Sequence, residues 1–301
     1  MSPPLTVILP VRNGEATIAR AVRSTLSALP RDGVLLVHDD ASTDGTPAIL
    51  AAVTDRRLGL LTSREPRGVA GGLNRLLGEV STPLVARMDA DDITLPWRFR
   101  AQVAAVSKGV DVVWSTVIAF GDVPGRIRPG PPIPISPAAM PLHLLLSNPV
   151  AHSSMLARTD AVVSAGGYRN VKAEDYELWL RLGAAGLRCM RQAAPALLYR
   201  FHARQVTAGA GYERAAMADP GLRASYAALS RRELSREPSW FEALFGDAEP
   251  DRASAELVDF VVLMESASSR LPPAQRAFLR QKLKHLRAPT GNSASRGVCT
   301  A

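Results

Sequence analysis

Cysteine is nearly absent from this sequence, with two in 301 residues, Cys189 and Cys299. That excludes a disulfide framework and a thiolate metal site, and redox chemistry with them. Long apolar runs are also missing. Mostly apolar stretches such as Leu5–Val11 and Val258–Met264, the second interrupted by Asp259, fall far short of the ~20 residues that a membrane helix needs. The opening Ser2-Pro3-Pro4 supplies no basic segment, and the first apolar run ends at Arg12 without a small-residue cleavage site. No secretory signal is read there, so the expected location is the cytoplasm. Aromatic residues make up 5% and are not interleaved with basic clusters, which speaks against a nucleic-acid surface. Glycine is scarce where nucleotide-binding loops need it. Leu5 to Gly14 contains one, which excludes a G-x-G-x-x-G dinucleotide turn and weakens a nucleotidyltransferase reading.

What is present is an ordinary globular composition, 47% hydrophobic and 21% charged, in a chain long enough for one large α/β domain or a domain with an appendage. The formal charge of +8 is unevenly placed: from Leu263 onward seven Lys/Arg face one Glu, so +6 of it lies there. The main body is close to neutral. The basic stretch Arg280, Lys282, Lys284 and Arg287 reads either as a solvated helix face or as peripheral contact with an anionic membrane surface.

Short apolar runs alternate with helical patterns through the first half, the signature of βα units around a mostly parallel sheet. Leu5–Leu9 reads as a buried strand, followed by a helix whose inner face is Ile18, Val22, Thr25, Leu26 and Leu29. Pro30 to Gly33 breaks that helix before a second strand, Val34–Val37, which runs into Asp39-Asp40. Ser42 or Thr43 is placed to cap the next helix, with Pro47 in its first turn. A third strand, Leu58–Leu61, and a helix through Leu73, Leu76 and Leu77 lead to strand Leu84–Met88. The Pro- and Gly-rich stretch from Gly121 to Pro141 reads as a lid or linker. Another strand, Ala196–Phe201, follows a helix carrying Tyr176, Trp179 and Gly183, and the chain is helical from about Thr207. The expected domains are residues 1–205, with halves 1–120 and 140–205, and a helical extension over 206–301 with a basic tail.

Carboxylates follow two of these strands, Asp39-Asp40 and Asp89-Ala90-Asp91-Asp92. Ligands of open α/β sheets bind outside the carboxyl ends of strands, so the two clusters are expected to share one crevice. Asp89 and Asp91 suit Mg²⁺ or Mn²⁺, hard cations that prefer oxygen and accept a substrate's phosphate oxygens as further ligands. A turn capped by Asp side chains accounts for the same residues. Asp39-Asp40 likewise reads as a helix-cap turn or as acceptor for a nucleobase imide or ribose hydroxyl.

Taken in order, L-T-V-I-L-P-V-R-N-G, H-D-D-A-S-T-D-G-T, M-D-A-D-D and G-G-Y-R-N-V-K-A-E-D-Y-E-L-W-L-R resemble a family 2 glycosyltransferase of the GT-A fold, over about residues 5 to 205. The resemblance implies a Rossmann-like, mostly parallel sheet flanked by helices, and a donor that is a nucleoside-diphosphate sugar, with a UDP-sugar favoured. It assigns Pro10, Val11, Arg12, Asn13 and Asp40 to the nucleoside. Asp39 supports their turn, Asp89 approaches the ribose or the metal, and Asp91 ligates the metal. Asp175 is the general base, with Glu174 as fallback, and His202 reaches the metal or the diphosphate. Asn148 to Ser154 enters the acceptor side, where His152 hydrogen-bonds a sugar hydroxyl; a polar turn is the plainer reading. Trp179 stacks on a sugar or belongs to the core. Arg12 stands where the family has an aromatic residue, and Ala41 where it has glycine. The implied reaction is one inverting, metal-assisted transfer per encounter to a saccharide or lipid-linked acceptor. The competing class is a non-catalytic sugar-nucleotide or nucleic-acid binding protein.

Overall fold

The computed structural model describes residues 4–121, 127–201, 211–245 and 250–287. They contain β1 (Leu5–Val11), α1 (Ile18–Ala28), β2 (Val34–Asp40), α2 (Thr46–Ala51), β3 (Leu58–Ser63), α3 (Gly68–Gly78), β4 (Leu84–Arg87), β5 (Ile93–Thr94), α4 (Arg98–Val106), β6 (Val112–Gly121) and β7 (Ile127–Pro129). There follow α5 (Met140–Leu144), β8 (Leu156–Arg158), α6 (Thr159–Ser164), α7 (Glu174–Ala184) and β9 (Cys189–Phe201). The remaining helices are α8 (Tyr212–Met217), α9 (Pro220–Leu234), α10 (Phe241–Phe245), α11 (Pro250–Ser268) and α12 (Pro273–Arg287).

The contacts divide the chain into two units, one of Met1–Pro134, Val150–Asn170 and Leu187–Ala203, the other of Ile135–Pro149, Val171–Gly186 and Arg204–Ala301. This differs from a boundary near residue 205. The segments carrying α5 and α7 group with the C-terminal helices, because α7 packs on α9 and α5 packs on both.

The first unit is built on a sheet of strand order β3-β2-β1-β4-β8-β6-β9-β5, with β7 beside β6. β3, β2, β1 and β4 are mutually parallel, as the βα alternation predicts. β6 and β9 are parallel as well, while β8 runs antiparallel to both β4 and β6. β1 is buried on both faces, the pattern of a central parallel strand covered by helices. α1 turns Ile18, Ala21, Val22, Thr25 and Leu26 inward, and each large aliphatic among them is worth about 1.5–3 kcal/mol of burial. The Pro-rich stretch is not wholly a linker, since Ile127–Pro129 adds β7 to the edge of β6.

In the second unit α7 is apolar nearly all round: Tyr176, Leu178, Trp179, Leu180 and Leu182 have no exposed surface. Such a helix must be enclosed. A Cβ on Gly183 would stand 3.1 Å from Leu229 of α9, so these helices approach closely there. The one charge α7 buries completely, Glu177, is held by Arg181 at 2.7 Å and by the Ser225 hydroxyl at 2.8 Å. α12 buries Leu279 and Leu283 and exposes Arg280 and Lys284. Among the described residues no helix is long and apolar enough to cross a membrane.

Candidate active site

Strands β1, β2 and β4 lie side by side and point the same way, with Val11 opposite Asp39 and Ile8 opposite Arg87. The two acidic segments therefore emerge at one edge of the sheet, as their places in the sequence imply. Asp39 and Asp40 are the last residues of β2 itself rather than a turn beyond it.

The loops after β1 and β2 are stitched together. Asn13 takes a left-handed φ of 53°, which Asn tolerates better than most residues. Its Oδ1 accepts from the Thr43 amide at 2.8 Å, and its own amide donates to Ser42 Oγ at 2.9 Å. Ser42 and Thr43 are thus spent on the neighbouring loop and do not cap α2; the Thr46 amide donates instead to Asp44 Oδ1 at 3.0 Å. Asp39 Oδ1 accepts from the Ser42 amide at 3.1 Å and closes the turn over Ala41, whose φ is 58°. Glycine is favoured in that conformation, which is the physical content of the sequence departure at Ala41. Val11 is 4% exposed and belongs to the core, so its side chain offers a ligand nothing. Pro10 is half-buried, and Arg12 is exposed.

Asp40 has a structural task that its motif does not reveal. Its Oδ1 accepts from the Arg67 amide at 2.7 Å and its Oδ2 from the Gly68 amide at 3.0 Å, so a carboxylate from β2 caps the first turn of α3. Each oxygen keeps a second lone pair. Asp40→Ala is expected to lower stability by about 0.5–2 kcal/mol, the cost of an N-cap, and to drop Tm by several degrees in thermal denaturation. Melting at the wild-type temperature would show that the cap contributes nothing. Beside it, His38 is fully buried with Nε2 2.8 Å from Ser63 Oγ, and burial lowers its pKa below the usual value despite the Asp40 charge.

After β4 the chain turns through Asp89, Asp91 and Asp92, which offer one oxygen each within 4.8 Å of one another. Asp92 is 1% exposed; its Oδ2 accepts from Ser153 Oγ at 2.5 Å and its Oδ1 from the Arg200 amide at 2.8 Å. Burial first, then the Asp89 and Asp91 charges, push its carboxyl well above the usual carboxylate range. Arg87, 4% exposed, forms an ion pair with Asp89. Arg200 donates from Nε to the Asp91 carbonyl at 3.2 Å and lays its guanidinium 4.5 Å over the Phe120 ring. Crowded hard oxygens whose mutual repulsion a cation relieves are the donor set that Mg²⁺ or Mn²⁺ prefers, so the residues fit such an ion.

His152 sits in a 3₁₀ turn, His152–Ser154, with Nε2 3.0 Å from the Tyr168 hydroxyl. Burial and the Arg87 charge hold its pKa well below the usual value, so the ring is neutral at pH 7. The G-G-Y motif serves this contact. Gly166 and Gly167 have φ of 85° and 64°, a Cβ on Gly167 would meet Asn74 Oδ1 at 2.6 Å, and that oxygen accepts from the Tyr168 amide at 2.9 Å.

In the second unit, Glu174 and Asp175 open α7, both half-buried. Asn148 Nδ2 donates to Asp175 Oδ2 at 3.0 Å. Trp179 has no exposed surface, so it is core and cannot stack on a sugar; the helix turns it inward with Leu178 and Leu182. His202 lies outside the described residues.

The sequence gives no separate role to Asp92, Ser153, Arg87 or Asn148. Asp92 is visible in it as the third acid of its motif, Asn148 and Ser153 lie in the segment read as the acceptor side or a polar turn, and nothing marks Arg87 as buried.

A family model described as glycosyl transferase family 2 matches residues 6–183. The putative glycosyltransferase EpsE of Bacillus subtilis (strain 168) is 33% identical over 198 residues, 62% of this chain and 69% of that one. The UDP-Glc:alpha-D-GlcNAc-diphosphoundecaprenol beta-1,3-glucosyltransferase WfgD of Escherichia coli is 26% identical over 181 residues, 59% of this chain and 69% of that one. Among solved structures, residues 1–349 of S. aureus TarS in complex with UDP-GlcNAc superpose with a TM-score of 0.59 at 18% identity, covering 94% of this chain and 89% of that one.

Proposed function

The chain belongs to glycosyl transferase family 2, with the GT-A fold, and we propose that it moves one sugar from a nucleoside-diphosphate sugar to an acceptor hydroxyl with inversion. The observation that carries this reading is the meeting of two acidic segments, Asp39-Asp40 and Asp89–Asp92, at the carboxyl edge of β1, β2 and β4. A UDP-sugar is the favoured donor and a saccharide or lipid-linked acceptor the favoured partner, in assembly of a cell-surface polysaccharide or glycolipid. WfgD, whose name specifies UDP-Glc and a diphosphoundecaprenol acceptor, supports that class.

In this reading the loop Pro10–Asn13 and Asp40 receive the nucleoside, with Asp39 holding their turn. Asp91 and Asp89 would hold Mn²⁺ or Mg²⁺, His202 being a further candidate ligand. The ion supplies Lewis-acid neutralisation of the departing diphosphate, typically several kcal/mol of transition-state charge. Asp175 takes the acceptor hydroxyl's proton as that oxygen bonds to the anomeric carbon and the bond to the diphosphate oxygen breaks on the opposite face. A base must be ionised to act, and the start of α7 favours the charged form of Asp175 through the helix dipole. Glu174 is the reserve base. His152, neutral, is the candidate hydrogen-bond partner for the acceptor.

A screen of UDP-, GDP- and dTDP-sugars, with and without Mn²⁺, tests the reading by hydrolysis and by thermal stabilisation. Metal-dependent stabilisation by one nucleotide class is expected. Indifference to every donor, with and without metal, would remove the proposal.

A further inference from the structure

Two polar side chains buried in α4 have no part in the reaction as written. Arg98 and Gln102, one helical turn apart, have no exposed surface. A buried guanidinium persists only where its N–H groups find acceptors, and the acceptors here are specific. Arg98 Nη2 donates to the carbonyls of Arg87 at 2.7 Å and Met155 at 3.2 Å, and its Nε to Gln102 Oε1 at 3.2 Å. Gln102 Nε2 donates to the carbonyls of Ser154 at 2.7 Å and Val113 at 3.2 Å. Burial lowers the Arg98 pKa to about 9, which leaves the group charged at neutral pH.

These carbonyls share a location. β8 is three residues long and is wedged between β4 and β6. Ser154 and Met155 immediately precede it, and Arg87 is the last residue of β4. α4 thus supplies donors at the point where β8 begins, beside the backbone bond from the Arg87 amide to the Met155 carbonyl at 3.0 Å, and it adds a second tie between the 3₁₀ turn and the end of β4. The adjoining residue of that turn, Ser153, is fully buried and donates to Asp92 at 2.5 Å.

We propose that Arg98, Gln102 and Ser153 are positioning residues for the acidic turn: the Arg98–Gln102 clasp fixes the 3₁₀ turn against β4, and Ser153 passes that placement to Asp92. The proposal rests on the reading of Asp89–Asp92 as the cation and diphosphate site. An apolar pair of similar volume would fill the same core, so packing alone does not call for these groups. Their donors reach a carbonyl two residues before Asp89 and the turn that holds Asp92, the two approaches to the carboxylates.

The test is Mn²⁺ binding to the full chain, followed by electron paramagnetic resonance in the presence of UDP, GDP or dTDP, alongside Tm. Ser153→Ala is expected to weaken Mn²⁺ binding about tenfold, the usual scale for loss of an outer-shell partner. Its Tm is expected to stay within about 4 °C of wild type, as for one lost hydroxyl bond. Arg98→Lys, which keeps the charge but not the planar fork, is expected to weaken Mn²⁺ binding as well. Unchanged Mn²⁺ affinity in Ser153→Ala overturns the positioning role, and so does a loss no larger than the fraction of protein unfolded. A wild-type chain that takes up no Mn²⁺ with any of the nucleotides overturns instead the metal reading beneath it.

Discussion

Asp175→Asn is expected to lower turnover by about 10²- to 10⁴-fold while leaving donor binding unchanged, the range typical of losing a general base. The substitution is nearly isosteric. Asp175 accepts from Asn148 Nδ2 on Oδ2 at 3.0 Å and from the Tyr176 amide on Oδ1 at 2.7 Å; the single amide oxygen of the variant keeps one of these donors, while the capacity to accept a proton is lost. Losing a negative charge from the first turn of α7 costs about 0.3–1 kcal/mol through the helix dipole, too little to unfold the protein. Steady-state rates with the donor found in the screen, and its Kd by calorimetry, separate the two effects. Full turnover by the Asn variant would remove the base assignment, and an inactive Glu174→Gln beside it would move the role one residue back.

Asp91→Ala should abolish the metal-stimulated part of transfer, a loss of several kcal/mol of transition-state stabilisation or about 10³-fold in rate. Asp91 is half-exposed, and the hydrogen bond that Arg200 Nε donates to its backbone carbonyl at 3.2 Å survives the substitution. Asp92 is the instructive contrast, being 1% exposed with both carboxylate oxygens occupied by Ser153 and the Arg200 amide. Asp92→Ala strips buried donors of their acceptor, and destabilisation of about 1–3 kcal/mol per group is expected to accompany any loss of activity. A manganese titration of the rate, read with Tm, distinguishes the two positions. Metal-stimulated transfer at the wild-type level in Asp91→Ala would refute its role as ligand.

The four parallel strands β1 to β4, and the acidic residues at the end of β2 and after β4, were legible because their determinants are local. Alternating apolar runs, Pro30–Gly33 and Pro83 as breaks, and Asp-rich segments at strand ends all lie within a few residues of the element they specify. The antiparallel strand β8 was not legible. It is three residues long, and its direction is set by β4 and β6, which precede it by some 70 and 40 positions. The membership of α7 was hidden for the same reason: its apolar surface says that it must be covered, but not that α9 and α5 cover it.

By itself the sequence determined the first four strands with the helices between them, the family, and the chemical types available at the sheet edge, since all three are carried by spacing along the chain. Only the tertiary structure decided what each polar group does. It made Asp40 a cap for α3 as well as a candidate ligand, put Trp179 in the core, brought Ser153 to Asp92, and gave Arg98 and Gln102 the carbonyls of Arg87, Ser154 and Met155. The role of a polar atom depends on which donors and acceptors surround it once water is excluded, and those partners come from segments that are neighbours only after folding.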